Sequence, residues 1–291
     1  MIDSAPNNSS LENRPRNLTD LFKKDLIALK GFFSEEVLSL VENNIGFLMK
    51  DYVAWQRALV AMTKKLGVEY EKIADIPSII EKTTFENLKK KFSIESPKKI
   101  VLGIAGPGAV GKETVKKDLG FDIVVNTTTR PKRDYESHGE HYHFISDTEF
   151  NNIASESGFI VSMKREGRGQ YGIRKEDIEK VLSRSKVAII EENPVNLTGL
   201  IDYLKTYESC ELVLVYILPP SPVLPNLAAR LANRCLKSGN DFKSAFDSTL
   251  NLRQLQEFNS MANFIDKNAN ILFLVNDDIK RVVKKIKDLI E

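Results

Sequence analysis

The sequence predicts an α/β protein, a mostly parallel sheet preceded by an all-α N-terminal region, and three observations support this fold class. From residue 96 onward, short apolar runs alternate with amphipathic stretches, as in parallel strands covered by helices. Before residue 96, glycines are few and apolar residues recur at helical spacing. A glycine-rich turn follows the first apolar run. The five apolar runs are KIVLGIAG, FDIVVN, KVAIIE, LVLVYIL and ILFLVN.

Composition places the chain among ordinary globular proteins, with 291 residues, 42% hydrophobic and 28% charged. Its 42 basic and 40 acidic residues nearly cancel, so we expect no attraction to nucleic acid or membranes. The basic C-terminal stretch DDIKRVVKKIKDLIE has apolar residues at helical spacing and is predicted as a packed final helix. Cys210 and Cys235 form no metal-type or redox-type pattern, and no segment has the roughly 18 apolar residues of a membrane span. A cytoplasmic protein is therefore expected.

The N-terminal third is predicted as a disordered lead-in over residues 1–16 and a helical domain over 17–95. The lead-in lacks the apolar core of a signal peptide. The helical domain contains no cluster of chemically reactive side chains. It has two interpretations: the helices pack on the rest of the chain or on another copy, or they bind a partner protein through Tyr52 and Trp55. We expect residues 96–291 to fold without them.

Three helices are predicted in this domain, the first beginning near Leu18. Ser34 is a good N-cap for the second, which the apolar pattern continues to Leu66. Gly67 then ends it. Thr83, in a capping box with Glu86, predicts a short last helix.

The stretch VLGIAGPGAVGKETV, residues 101–115, has Gly106, Gly111 and Lys112 at the spacing of a phosphate loop. It follows an apolar strand and opens a helical stretch, the context such a loop requires. Glycines let backbone N–H groups turn toward phosphate oxygens, and the lysine can reach the outer phosphates. The predicted contacts are Gly106, Pro107, Gly108, Ala109, Val110, Gly111, Lys112, Glu113 and Thr114.

Glu113 stands where such loops carry the Ser or Thr whose hydroxyl binds Mg²⁺. We interpret it as an acid placed favourably in the first turn of a helix. Thr114 is the neighbouring hydroxyl, so the loop leaves magnesium ligation open.

A second motif, NTTTRPKRDYESHGEHYHF at residues 126–144, combines an anion clamp with an acid. Arg130 and Arg133 offer planar forks suited to a phosphate monoester, and the Tyr142 hydroxyl can add a third contact. Glu136 is an acceptor for N–H donors on a purine edge. The segment therefore predicts a nucleoside monophosphate site. Its three histidines, His138, His141 and His143, are predicted to lie in a solvated loop and not in a metal site.

With these two motifs, the chain resembles the guanylate kinase family. The resemblance continues through GQYGIRKEDIEKVL, VAIIEENPVNL, YILPPSPVLPNLAARLANR and LFLVNDDIKRVVKKIKDLI, and so covers residues 98–291. It implies a nucleoside monophosphate kinase-like domain over 96–291, with a monophosphate-binding lobe at about 128–182 and a lid at about 230–255. It also implies that ATP, with Mg²⁺, donates a phosphoryl group to GMP.

The resemblance assigns roles residue by residue. Arg130, Arg133 and Tyr142 would clamp the GMP phosphate, and Glu136 would contact guanine. Residues 106–114 would hold ATP. Catalytic roles would fall to Lys112, Arg230 and Arg234, the magnesium-side acid would be Glu191, and Asn276 would lie near adenine. The remaining substrate-binding positions would be Asn126, Tyr171, Ile173 and Asn193.

Several positions depart from the family pattern. Ile173 replaces a Ser or Thr that contacts guanine, Asn193 replaces a base-contacting acid, and Asn126 replaces a serine. The segment KSGNDFKSAFDSTL lacks a further lid arginine. We therefore expect GMP to be the best nucleotide acceptor, with a narrow margin over other purine monophosphates.

Two alternatives to a GMP kinase stay open. A related kinase of ribose bisphosphates also has an aliphatic residue after Tyr-Gly, and Glu136 argues against it because a sugar phosphate needs no such acid. A catalytically silent guanylate-kinase-like binding module is the other. Lys112 and the loop glycines argue against that module, while Ile173 and the missing lid arginine favour it. The expected partners are small-molecule nucleotides.

Overall fold

The computed structural model describes residues 15–134, 136–165, 167, 169–207, 210–249, 252–267 and 269–290. Almost all of the predicted lead-in, residues 1–14, lies outside the described residues. The helices before the sheet are α1 (Pro15–Ile27), α2 (Glu35–Glu42), α3 (Ile45–Leu66) and α4 (Ile76–Ile94), the last preceded by a 3₁₀ turn (Ile73–Asp75).

Two predicted helix boundaries are confirmed in this region. Ser34 caps α2, its hydroxyl accepting from the Val37 N–H at 3.3 Å. Gly67 ends α3 in the left-handed conformation, at φ 65°.

Two other predictions are wrong. The predicted long second helix is interrupted before Ile45, because the Asn44 side chain donates to the Leu40 carbonyl at 2.8 Å and competes with helical bonding. The last helix does not begin at Thr83. It begins at Ile76, with Pro77 in its first turn, where a proline costs no hydrogen bond.

Two sheets follow the helices. The strands are β1 (Lys99–Ala105), β2 (Asp122–Ile123), β3 (Thr127–Thr128), β4 (His143–Phe144), β5 (Phe159–Arg165), β6 (Gly169–Arg174), β7 (Val187–Glu191), β8 (Cys210–Leu218) and β9 (Asn270–Val275). The five-stranded sheet has the order β2-β7-β1-β8-β9, and all its pairs are parallel. All five predicted strands are thereby confirmed, and their carboxyl ends share one edge, where ligands bind in such sheets.

The smaller sheet has the order β4-β3-β6-β5. Its β5–β6 hairpin is antiparallel, and β3 joins β6 in antiparallel register. This sheet lies within the predicted monophosphate-binding lobe.

Further helices lie between and after the strands of the two sheets. They are α5 (Lys112–Leu119), α6 (Asp147–Ser155), α7 (Lys175–Arg184), α8 (Pro194–Leu204), α9 (Val223–Ser238), α10 (Phe242–Thr249), α11 (Leu252–Asp266) and α12 (Ile279–Ile290). Helix α12 buries Val282, Ile286 and Leu289, which confirms the predicted packed final helix. Among the described residues, no helix is both long and apolar enough to span a bilayer.

The N-terminal helices and the α/β part share one hydrophobic core. Trp55 of α3 packs on Phe258 of α11, with ring centroids 5.4 Å apart. Tyr52 is also buried, and its hydroxyl donates to Asp25 at 2.6 Å. The helices therefore pack on the rest of the chain, and Tyr52 and Trp55 are not a surface for a partner protein.

Helix α4 covers the outer edge of β9. The Thr84 hydroxyl accepts from the Phe273 N–H at 3.1 Å. The Glu81 carboxylate accepts from the Val275 N–H at 2.6 Å. These side chains occupy backbone donors that an edge strand leaves open to pairing with another chain.

Candidate functional site

The phosphate loop connects β1 to α5 at the carboxyl edge of the sheet. Gly106 begins the loop at φ 142°, a conformation that side chains rarely adopt. A Cβ atom there would lie 2.5 Å from the Ile217 carbonyl oxygen of β8. The packing of the loop on the sheet therefore requires glycine.

Lys112 lies across the loop that precedes it. Its Nζ donates to the Gly106 carbonyl at 2.8 Å and to the Pro107 carbonyl at 3.1 Å. Burial lowers the pKa of Lys112, while the carboxylates of Glu191 and Glu257 act in the opposite direction. The loop thus holds a partly buried ammonium group within reach of an incoming anion.

Glu191, the last residue of β7, contributes a carboxylate beside this lysine. It forms an ion pair with Lys116 of α5, and Lys116 also contacts Glu113 at 3.0 Å. Burial raises the pKa of Glu191. Two carboxylates therefore share one ammonium group next to the phosphate loop.

This donor set suits Mg²⁺, which prefers oxygen ligands and is usually held by one or two carboxylates together with substrate phosphates. Within the described ranges, no cluster of three or more histidine, cysteine or acidic side chains is placed to hold a metal ion. Glu191 and Glu113 are the residues that would hold the ion. Lys116 already neutralises both, so the ion would have to displace its ammonium group.

The acceptor segment is fixed on the small sheet by its threonines. The Thr128 hydroxyl donates to the Gln170 carbonyl at 2.9 Å and accepts from the Arg130 N–H at 3.1 Å. The Thr129 hydroxyl accepts from the Gln170 N–H at 3.0 Å. The Thr-Thr-Arg sequence therefore positions the backbone of Arg130 against β6.

The Arg130 guanidinium is held by Glu136 in a two-point ion pair, with N–O distances of 2.9 and 2.7 Å. Glu136 also accepts from the Arg133 N–H at 2.8 Å, and these hydrogen bonds lower its pKa to about 2. The guanidinium lies 5.5 Å from the ring centres of Tyr142 and Phe144. Arg130 thus lies beside Tyr142 and shares Glu136 with Arg133, and the role of the three residues as a phosphate clamp stays a prediction.

Glu136, assigned to guanine from the sequence, has its carboxylate engaged by this clamp. Its side chain is 5% exposed, whereas that of Arg133 is 59% exposed. In this structure Glu136 therefore orients Arg130, and Arg133 is the accessible cation.

Ile173 and Tyr171 are both buried on β6. Tyr171 packs against the Tyr142 ring, with centroids 6.1 Å apart. Ile173 is 1% exposed and lies opposite Val161 of β5. The position at which the family places a guanine-contacting hydroxyl is therefore apolar.

Asn126 and Asn193 connect the acceptor segment to the acidic side of the site. The Asn126 amide donates to the Glu191 carbonyl at 3.1 Å, and its buried Oδ1 has no hydrogen-bond partner among the described residues. Asn193 caps α8 through the Val195 N–H at 2.9 Å and donates to Glu257 at 2.7 Å. The unsatisfied Asn126 oxygen is a polar group suited to a ligand donor.

The two predicted lid arginines have different surroundings. Arg230 donates to the Asn226 side chain at 2.8 Å and to the Asn276 carbonyl at 2.7 Å. Asn276 in turn donates to the Val110 carbonyl of the phosphate loop at 2.6 Å. Arg234 is exposed. Arg230 and Asn276 are therefore brought to the loop, whereas Arg234 faces solvent.

Sequence reasoning missed Lys116 and Glu257. Lys116 could have been found, since it follows Lys112 by four residues and so lies on the same face of α5. Glu257 is buried on α11 and reaches Asn193 across the fold, a contact with no local signal in the sequence.

Comparison with known proteins identifies the family to which this chain belongs. The guanylate kinase family model matches residues 96–291. The chain is 28% identical to the guanylate kinase of Clostridium tetani over 197 residues, 66% of this chain and 86% of that protein. It is also 28% identical to MAGUK p55 subfamily member 7 of Danio rerio over 227 residues, 75% of this chain and 37% of that protein.

Among solved structures, guanylate kinase from Anaplasma phagocytophilum aligns with 67% of this chain and 85% of its own, at a TM-score of 0.42 and 17% identity. The helices before residue 96 lie outside the family match. Through residues 96–291, which carry both the phosphate loop and the arginine clamp, this chain belongs to the guanylate kinase family.

Proposed function

We propose that this protein transfers the terminal phosphoryl group of ATP to a nucleoside monophosphate, with GMP as the preferred acceptor and weak discrimination between purine bases. The observation that carries the proposal is that Glu191 connects two anion sites, the phosphate loop (residues 106–112) and the acceptor segment (residues 126–144). Its carboxylate pairs with Lys116 beside the phosphate loop, and its carbonyl accepts from Asn126 at the start of the acceptor segment.

The chemistry asked of these residues is positioning and charge neutralisation. The attacking oxygen of a monophosphate is already ionised, so the site needs no general base. Lys112 and Arg230 would place positive charge where negative charge develops, and Arg130, Arg133 and Tyr142 would fix the acceptor phosphate. Mg²⁺, held by Glu191 and Glu113, would neutralise charge on the phosphate oxygens.

Weak base discrimination follows from the acceptor pocket. Ile173 offers no hydrogen bond, and the Glu136 carboxylate is engaged by Arg130. A guanine group left unpaired on leaving water costs about 1–3 kcal/mol, or roughly five- to a hundredfold in binding. GMP should therefore bind with a narrow margin over other purine monophosphates.

The test is ATP consumption by the full chain with a panel of nucleoside monophosphates and a ribose bisphosphate. Lys112→Ala should lower turnover by about a hundred- to a thousandfold, the effect of removing one positioned charge-stabilising donor. Lys117→Ala, an exposed lysine of the same helix, is the matched control and should keep full turnover.

Three outcomes contradict the proposal. No ATP consumption with any acceptor of the panel would favour a silent binding module. Turnover confined to the ribose bisphosphate would favour the sugar phosphate kinase. Equal turnover by Lys112→Ala and the parent would remove the phosphate loop from the mechanism.

A further inference from the structure

A buried ionic network connects helix α4, which precedes the family domain, to the end of β9. Glu81 of α4 is 4% exposed. Its carboxylate accepts from two side chains of α12, Arg281 at 2.6 Å and Lys285, and from the Val275 N–H at 2.6 Å. Burial alone would raise the pKa of Glu81, but these hydrogen bonds outweigh it and lower the pKa. Glu81 is therefore a fully partnered anion in the core.

The network fixes both backbone groups of Val275, the last residue of β9. The Val275 N–H donates to Glu81, and the Val275 carbonyl accepts from Arg281. Arg281 in turn donates to Glu81. The strand end is therefore tied to α4 and α12 at one point.

The next residue, Asn276, transmits this anchoring to the phosphate loop. It is 3% exposed, and its backbone N–H donates to the Leu218 carbonyl of β8 at 2.7 Å. Its side chain donates to the Val110 carbonyl of the loop, and its own carbonyl accepts from Arg230. Asn276 thus contacts the loop and a proposed catalytic arginine together.

We propose that Glu81 is a positioning residue for the ATP side of the site: by fixing Val275 it holds Asn276, and through Asn276 the phosphate loop and Arg230. The helical region before residue 96 is then part of the nucleotide-binding apparatus of this protein. This inference rests on the proposed function in one respect, that the loop binds ATP.

A purely structural role for Glu81 is the competing explanation, and Thr84 separates the two. Thr84 lies one turn further along α4 and accepts from Phe273, two residues before Val275. Thr84→Val therefore removes a hydrogen bond between α4 and β9 and leaves the hydrogen bonds of Val275, Arg281 and Asn276 in place.

The experiment measures the affinities of ATP and GMP by calorimetry, together with the melting temperature, for the full chain and its variants. Glu81→Gln should weaken ATP binding by about two- to thirtyfold, the range for mutations along a coupling network. GMP affinity should stay unchanged, because the clamp lies on the other sheet. Thr84→Val should lower the melting temperature and leave ATP affinity unchanged.

Arg281→Gln covers the case in which Glu81→Gln does not fold, since Arg281 is about one-third exposed and better able to tolerate substitution. Arg281→Gln should weaken ATP binding by a similar factor and leave GMP affinity unchanged. Unchanged ATP affinity in a folded Glu81 or Arg281 variant, or an equal loss in Thr84→Val, would overturn the inference and leave the proposed function standing. A parent chain that binds no ATP would overturn both.

Discussion

At the scale of single residues, Glu136 shows how one acidic side chain fits two roles. From the sequence it is an acceptor for a guanine edge. In the structure its carboxylate accepts two bonds from Arg130 and one from the Arg133 backbone. With its pKa lowered to about 2, it stays ionised at neutral pH and keeps the guanidinium oriented.

Glu136→Gln tests which role holds. Removing an anion that orients Arg130 should weaken the binding of every phosphate monoester alike. The expected loss is about ten- to a hundredfold in affinity, the contribution of a charge-assisted hydrogen bond. Titration of GMP, AMP and ribose 5-phosphate measures this. A loss confined to GMP would return Glu136 to the guanine edge.

Other residue roles could be predicted from the sequence only where a motif carries them. The loop glycines, Lys112 and the arginine pair stand at informative spacings. Whether an arginine is accessible or bound can also depend on residues distant in sequence. Arg230, for example, is held by Asn276, 46 positions away.

At the scale of elements, the apolar runs predicted all five parallel strands, and four of these strands (β1, β7, β8 and β9) are nearly all buried. The fifth, β2, is a two-residue strand at the edge of the sheet, with Ile123 43% exposed. Helix boundaries were less predictable. The break before Ile45 depends on a side-chain bond to the backbone, and the start of α4 depends on Pro77. Neither alters the hydrophobic periodicity from which the helices were predicted.

The contact between α3 and α11 gives a prediction at this scale. Trp55→Ala should lower the free energy of unfolding by about 3–5 kcal/mol, since the ring is 2% exposed and packs on Phe258. Phe32→Ala is the control: Phe32 is 80% exposed, and its loss should change stability by less than about 0.5 kcal/mol. Urea denaturation measures both. Similar values for the two variants would show that this contact contributes little.

At the scale of the whole molecule, the family resemblance marked residues 98–291, but the attachment of the preceding helices could not be predicted. Glu81 meets Val275 across 194 positions, and such a contact leaves no pattern in either segment. The sequence led us to expect that residues 96–291 fold alone. The shared core favours the opposite outcome.

A chain beginning at Ser96 should therefore aggregate or melt well below the full chain. It would expose the outer edge of β9 and the apolar face that α4 covers. A chain beginning at Lys72 keeps α4, and its melting temperature should fall less than that of the chain beginning at Ser96. Size-exclusion chromatography and thermal melts of the three chains measure this. A monodisperse chain from Ser96 with an unchanged melting temperature would show two independent domains.

The most direct test of the site is a single-turnover reaction of the full chain with ATP labelled at the terminal phosphoryl group and GMP. Phosphoryl transfer between the two anion sites predicts that the label appears in GDP, and that Lys112→Ala forms no labelled product on the same timescale. Label that stays in ATP, or is released only as inorganic phosphate while GMP is bound, would contradict a kinase.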